Sequence, residues 1–176
     1  GLHASGPAAA AEIEVRVGAD AQGRLAGIDA RYILDTGGVP GTPTTLVMQA
    51  SAALYQCPAL RLEGFDVLTN KPRTEAYRGP GGIQAAFAME QAIDELAMRL
   101  GLDPLELRRR NAAVTGSMMP IGTPFPSIGL TTILDRVAAH DCWTSPLGQG
   151  ALPRGRGLAL GYWRGTSMTS AAHVTV

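Results

Sequence analysis

A glycine-rich loop runs straight into a long amphipathic stretch, and a second helical start signal follows at once. The segment from Thr74 to Asn111, TEAYRGPGGIQAAFAMEQAIDELAMRLGLDPLELRRRN, holds all three features. Ala86, Met89, Ile93, Leu96, Ala97 and Leu100 recur at i, i+3, i+4 spacing and predict a helix from about Ile83 to Leu100. Gly101 suits the residue just past its end. Asp103, Pro104 and Glu106 stand at N-cap, N1 and N3 of a following helix that runs to about Asn111, and predict a capping box. In the loop, Arg78 directly precedes Gly79, Pro80, Gly81 and Gly82. Backbone N–H groups, a helix N-terminus and a bidentate donor then share one place, which suits an anionic or strongly polar ligand. The same residues also make sense as a tight turn whose arginine pairs with a carboxylate or a helix end. A phosphate-binding P-loop is excluded, because Ile83-Gln84 stand where Lys-Ser/Thr would be needed. A dinucleotide fingerprint within a βαβ unit does not fit either.

Upstream, Ile13, Val15 and Val17 alternate with Glu12, Glu14 and Arg16, the pattern of a half-buried strand over Glu12–Val17. Asp20-Ala21-Gln22-Gly23 predicts a turn, and Leu25–Leu34 returns as a second strand with Ile28, Ala30, Tyr32 and Leu34 on one face. Leu46–Tyr55 is expected to be a short helix. Ala59–Leu68 is expected to be a third strand, with a bulge at Gly64 to reconcile Leu60 and Leu62 with Phe65 and Val67. Thr115–Gly129 predicts an ordered loop. Thr131–His140 predicts a helix capped by Thr131 or Thr132, and Ser145–Arg156 a further loop. Gly157–Trp163 and Ala171–Val176 are expected to be strands. Strands and helices mix without strict βαβ alternation, so the expected class is α+β, a mixed or antiparallel sheet with packed helices. The chain is expected to be one such unit over residues 1–176. It divides into an irregular lead-in (1–11), the hairpin, third strand and two helices (12–113), a loop and helix (114–156) and C-terminal strands (157–176).

Fifteen basic residues balance fifteen acidic ones, and this neutrality argues against nucleic acid or an anionic membrane as a partner. Only 17% of residues are charged, against about 25% in a typical domain, which suggests a surface partly covered by neighbours in a larger assembly. No apolar run approaches the ~20 residues of a membrane span. Cys57 and Cys142 lie far apart with no metal-ligand spacing, and are expected to be two buried thiols, with a single disulfide as the alternative. His3, His140 and His173 are scattered; His140 is expected to complement a helix C-terminus. Asp94 and Glu95 are expected on the solvated side of their helix. Arg108, Arg109 and Arg110 cannot all face one way, so pairing with carboxylates of the domain is expected. Tyr162 and Trp163 either line an apolar pocket or straddle a sheet edge and pack locally, the latter being favoured.

The Ala76–Asn111 segment resembles the large, molybdopterin-binding subunit of the xanthine dehydrogenase/aldehyde oxidase family. AEIEVRVGADAQGRLAGIDARYILDTGG, ALRLEGFDVLTNKP, RGRGLALGYW and AAHVTV resemble neighbouring segments of that subunit, so the likeness runs over most of residues 12–176. The resemblance implies an oxidoreductase that hydroxylates an aldehyde or N-heterocycle at a molybdenum–pyranopterin centre, a cytosine dinucleotide form included, with water supplying the oxygen. It further implies [2Fe-2S] clusters and FAD on partner subunits or domains, no nucleic acid or membrane partner, and a cytoplasmic location, with periplasmic export as the alternative. By the same likeness Arg78, Gly79, Gly81 and Gly82 are the expected cofactor-binding residues, and Pro80 and Trp163 the expected substrate-pocket residues. Pro80 matches a position that holds a stacking aromatic in purine-oxidising members, and no arginine stands in Gly1–Ala11; both features disfavour a purine. No catalytic residue and no metal ligand is expected within this chain. The family's catalytic glutamate lies further along the sequence of that subunit, and Gly148-Gln149-Gly150 precedes rather than follows the strand that AAHVTV resembles. The alternative is a non-catalytic ligand-binding or structural module with the same fold.

Overall fold

The computed structural model describes residues 6–41, 43–147 and 154–163. The alternating segments form β1 (Ala11–Ala19) and β2 (Leu25–Gly37), paired antiparallel. Their turn is closed by the Asp20 carboxylate, which accepts the N–H groups of Gln22 at 3.0 Å and Arg24 at 2.8 Å, while Gly23 takes a φ of 76°. Ile28, Ala30, Tyr32 and Leu34 all point inward and are buried. β3 (Leu60–Leu68) joins the other edge of β2 in parallel, giving the mixed order β1-β2-β3. The crossover between them carries α1 (Thr44–Ala52).

The expected bulge at Gly64 is absent. Tyr32 pairs with Gly64 in unbroken register, and the shift falls instead between Asp35 and Gly37. The strand keeps its phase, so Leu62 and Gly64 face inward while Phe65 and Val67 land outside, with the Arg31 guanidinium 5.0 Å from the Phe65 ring centroid. Gly64 admits α1 rather than a kink: a Cβ there would lie 2.4 Å from Thr44 Cγ2 and 2.9 Å from Met48 Sδ.

α2 spans Gly82–Leu100 and buries Ala85, Met89, Glu90, Ile93 and Ala97. It ends as expected at Gly101, where φ is 64°; the Leu102 N–H returns to Ala97 O at 2.9 Å and the Gly101 N–H to Met98 O at 3.1 Å. α3 (Pro104–Asn111) starts on Asp103, whose carboxylate accepts from Leu105 and Glu106 N–H. Only this half of the capping box forms, because the Glu106 carboxylate is taken by Arg110 Nε at 2.9 Å. α4 runs from Leu130 to Ala139. It begins after Gly129 with no side-chain cap, so Thr131 and Thr132 lie inside the first turn rather than at its cap. His140 stands at the C-terminal end of α4 as expected, as its C-cap residue, and its Nδ1 also accepts the Cys142 N–H at 3.1 Å and so caps the short α5 (Asp141–Thr144). Cys142 is exposed and Cys57 half-buried, so the expectation of two buried thiols fails, although burial does raise the Cys57 thiol pKa.

The main core lies between β2, α2, α3 and α4 around Ile28, Met89, Ile93, Leu107 and Leu134; a second packs Tyr32, Leu34, Val47 and Ala85 together. Gly157–Trp163 is not a strand. Leu158, Leu160 and Tyr162 do alternate inward against the core, but the segment lies over helices and has no ladder partner among the described residues. The expected strand Ala171–Val176 and the Gly148-Gln149-Gly150 segment lie outside the described residues. No described helix is long and apolar enough to cross a membrane.

Candidate functional site

The loop entering α2 forms a lip with two faces. Gly81, the N-cap at φ 88°, is buried. A Cβ on it would stand 2.8 Å from Val47 N and 3.1 Å from Pro43 O, so its bareness is used by α1. Gly79, at φ 70°, and Gly82 turn the other way: an added Cβ would lie 3.7 Å and 3.5 Å from Trp163 Cε3 respectively. The Gly82 N–H closes the turn onto Gly79 O at 2.9 Å, so this donor is spent inside the loop. Arg78 has a φ of 23°, a backbone region that costs a non-glycine residue roughly 1–3 kcal/mol. Its side chain is exposed, and no hydrogen bond or ion pair holds it among the described residues. A strained, unpaired arginine beside a helix N-terminus is a donor set left open. Pro80 is half-buried on the lip.

Trp163 links the lip to an open cavity of about 780 Å³. Leu54, Met119, Ile121, Phe125, Ile133 and Tyr162 form much of its wall, and among the described residues no charged side chain lines it. Tyr162 sets its ring edge-on to Phe125, with centroids 5.9 Å apart. Tyr162 and Trp163 therefore line a pocket and do not straddle a sheet edge. Pro80 does not line this cavity. Arg164, next to Trp163, lies outside the described residues.

A second polar centre lies deeper along α2. Glu90 is 5% exposed. Its carboxylate accepts Arg108 Nε and Nη2, each at 2.9 Å, the Tyr55 hydroxyl and the Leu160 N–H at 2.7 Å. Arg108 is fully buried and also donates to Asp94 at 2.7 Å and to Pro104 O at 3.1 Å. Asp94 is thus an ion-pair partner and not merely solvated, whereas Glu95 pairs with exposed Arg99. Burial, aided by the Glu90 charge, pushes the Tyr55 phenol well above its ordinary pKa and keeps it a hydrogen-bond donor. The pairing expected of the arginine triplet is observed: Arg109 meets Asp135 at 2.6 Å and Arg110 meets Glu106. Glu90 escaped notice in the sequence although a signal was there. It sits on the apolar stripe of α2, three residues before Ile93, where an acid needs a buried partner.

The family profile described as "Molybdopterin cofactor-binding domain" matches residues 2–112. The chain is 31% identical over 165 residues to a probable xanthine dehydrogenase subunit of Bacillus subtilis, spanning 87% of this chain and 22% of that protein. It is 33% identical over 129 residues to the aldehyde oxidoreductase of Megalodesulfovibrio gigas, spanning 72% of this chain and 14% of the relative. Among solved structures, the Desulfovibrio gigas aldehyde oxidoreductase superposes with a TM-score of 0.70 at 32% identity, over 76% of this chain and 15% of that one. Quinoline 2-oxidoreductase of Pseudomonas putida 86 superposes with a TM-score of 0.67 at 28% identity, over 75% and 18%. The chain thus spans about a fifth or less of the length of these relatives. On the profile match, with the α+β fold shared by these structures, the chain belongs to the molybdopterin cofactor-binding domain family, in the xanthine dehydrogenase/aldehyde oxidase group of molybdenum hydroxylases.

Proposed function

We propose that the lip Arg78–Gly82 forms one wall of a molybdopterin site within a larger oxidoreductase, which hydroxylates an aldehyde or an N-heterocycle. When bound, that cofactor supplies the redox chemistry, with water as the source of oxygen. The lip fits such a group on two counts. Arg78 carries bidentate donors that meet no acceptor among the described residues and suit the oxygens of a pyranopterin phosphate. Gly79 and Gly82, bare on the side that faces Trp163, let the lip and that indole meet closely, so that the two form one continuous wall. The carrying observation is Arg78, held at a strained φ beside the mouth of α2 with no partner among the described residues, while Arg108, packed against the same helix, is saturated by Glu90 and Asp94. Gly81 contributes through α1 rather than by contact. Trp163 and the uncharged cavity beside it form an apolar approach that orients a substrate by shape and excludes water. Pro80 offers no ring face for stacking, which supports an aldehyde or a non-purine heterocycle. The wider reading includes a cytosine dinucleotide form of the cofactor, [2Fe-2S] and FAD partners that take up electrons, and a cytoplasmic location.

The test is Arg78→Ala and Arg78→Lys in the full-length enzyme, with molybdenum and pterin measured per enzyme molecule. Loss of one charge-assisted contact predicts roughly ten- to hundred-fold weaker cofactor retention for Arg78→Ala, and partial recovery with lysine. Unchanged content and unchanged kinetics would remove the role. A purely structural reading is favoured by one observation: Gly81 and the Gly82 N–H are both consumed by contacts within the chain. It predicts that Arg78 variants alter neither cofactor content nor turnover.

A further inference from the structure

We propose that Glu90 is a positioning residue for Trp163. The segment 157–163 crosses α2, and among the described residues no backbone–backbone hydrogen bond ties it down. Tyr162 gives only a 3.6 Å contact to Met119 Sδ and an edge contact to Phe125. The one charge-assisted bond in the segment, among the described residues, is the Leu160 N–H to Glu90 Oε2 at 2.7 Å. Glu90 can serve as that anchor because hydrogen bonds from Arg108 and Tyr55 fix its carboxylate in the core.

The geometry then carries the effect to the lip. Leu160 to Trp163 spans three residues, about 10 Å when extended. Glu90 to Gly82 spans eight residues of α2, about 12 Å. The strap therefore runs back along the helix, and fixing Leu160 at Glu90 delivers Trp163 to the first turn of α2, against Gly79 and Gly82. The placement of Trp163 stands on this geometry alone; only its effect on turnover rests on the proposed function.

The experiment uses the full-length enzyme and compares Glu90→Gln, Leu160→Pro and Tyr55→Phe. Limited chymotrypsin cleavage after Tyr162 and Trp163 is followed by mass spectrometry, together with molybdenum content, kcat and KM. Glu90→Gln weakens the anchor, and Leu160→Pro deletes the donor while leaving the Arg108 pair intact. Both are expected to speed cleavage in the strap about tenfold or more and to raise KM several-fold at near-normal molybdenum content. Tyr55→Phe leaves Oε2 untouched and is expected to leave the strap protected. Should Glu90→Gln fail to fold, Leu160→Pro carries the test. Unchanged strap cleavage in Leu160→Pro overturns the proposal, as does equal loosening by Tyr55→Phe, which would mean a general softening of the core. Faster strap cleavage with KM and molybdenum content unchanged would uphold Glu90 as the anchor and remove Trp163 from the substrate wall.

Discussion

Two arginines flank the same helix and lead opposite lives. Arg78, at the mouth of α2, is exposed on a strained backbone and touches no acceptor among the described residues. Arg108, packed against the middle of α2, is wholly buried and spends its donors on Glu90, Asp94 and a backbone carbonyl. Charge alone does not mark function. A guanidinium saturated by its own chain holds the fold, and one left open is available to something else. The comparison also separates two kinds of missing side chain: Gly81 yields space to α1, while Gly79 and Gly82 yield it towards Trp163.

The sharpest way to break this contrast is Arg108→Ala, which strands the Glu90 carboxylate in the core. Removing one partner of a buried pair costs about 3–5 kcal/mol, and urea unfolding of the chain should show it; a cost below about 1 kcal/mol would place Arg108 with the surface pairs. Next is Gly81→Ala, which meets both a left-handed φ of 88° and Val47 N at 2.8 Å. It should lose roughly 2–4 kcal/mol, more than Gly101→Ala, where φ is also positive but nothing lies within 4 Å and about 1–2 kcal/mol is expected. Equal losses in a thermal or urea comparison would deny α1 its claim on Gly81.

A smaller effect concerns Asp35. Its carboxylate accepts from Lys71, Thr69 and the Gly37 N–H, chiefly Lys71, and its pKa falls from 3.8 to about 2. A lowered folded-state pKa means stability that is present above pH 3.8 and lost as pH falls towards 2. Asp35→Asn should flatten the melting temperature against pH in that window and lower it at neutral pH; a parallel curve would deny the linkage. The smallest stability change is expected for Arg78→Ala, within about 0.5 kcal/mol by urea unfolding, because no contact within the described chain is lost. A large loss there would move Arg78 into the same class as Arg108.

What could be seen in the residues follows from how local each cause is. α2, the Gly101 stop and the Asp103-Pro104 start depend on neighbours within one turn, and they stand where the pattern put them. The hairpin was equally plain, since alternation and the Asp20–Gly23 turn act together. β3 was harder. Phe65 and Val67 are apolar yet lie on the outer face, so hydrophobicity suggested a slip that the register does not contain. Gly157–Trp163 shows the reverse error: its alternation is real, but it packs on helices and is anchored by a carboxylate 70 residues away. In the site, the lip and Trp163 could each be named from sequence, whereas their meeting at Gly79 and Gly82 is a long-range contact. Glu90 stayed hidden because its partners come from three separate segments, through Tyr55, Arg108 and Leu160.

One consequence of the bare positions reaches past the lip itself. Helix α1 is clamped between Gly64 beneath it and Gly81 above, touching each where a methyl group would collide. It works as a shim whose thickness sets how far the mouth of α2 stands from the sheet. A single carbon added at either glycine would lift that mouth, so the height of the lip is written into the floor and ceiling of a helix that carries none of its chemistry.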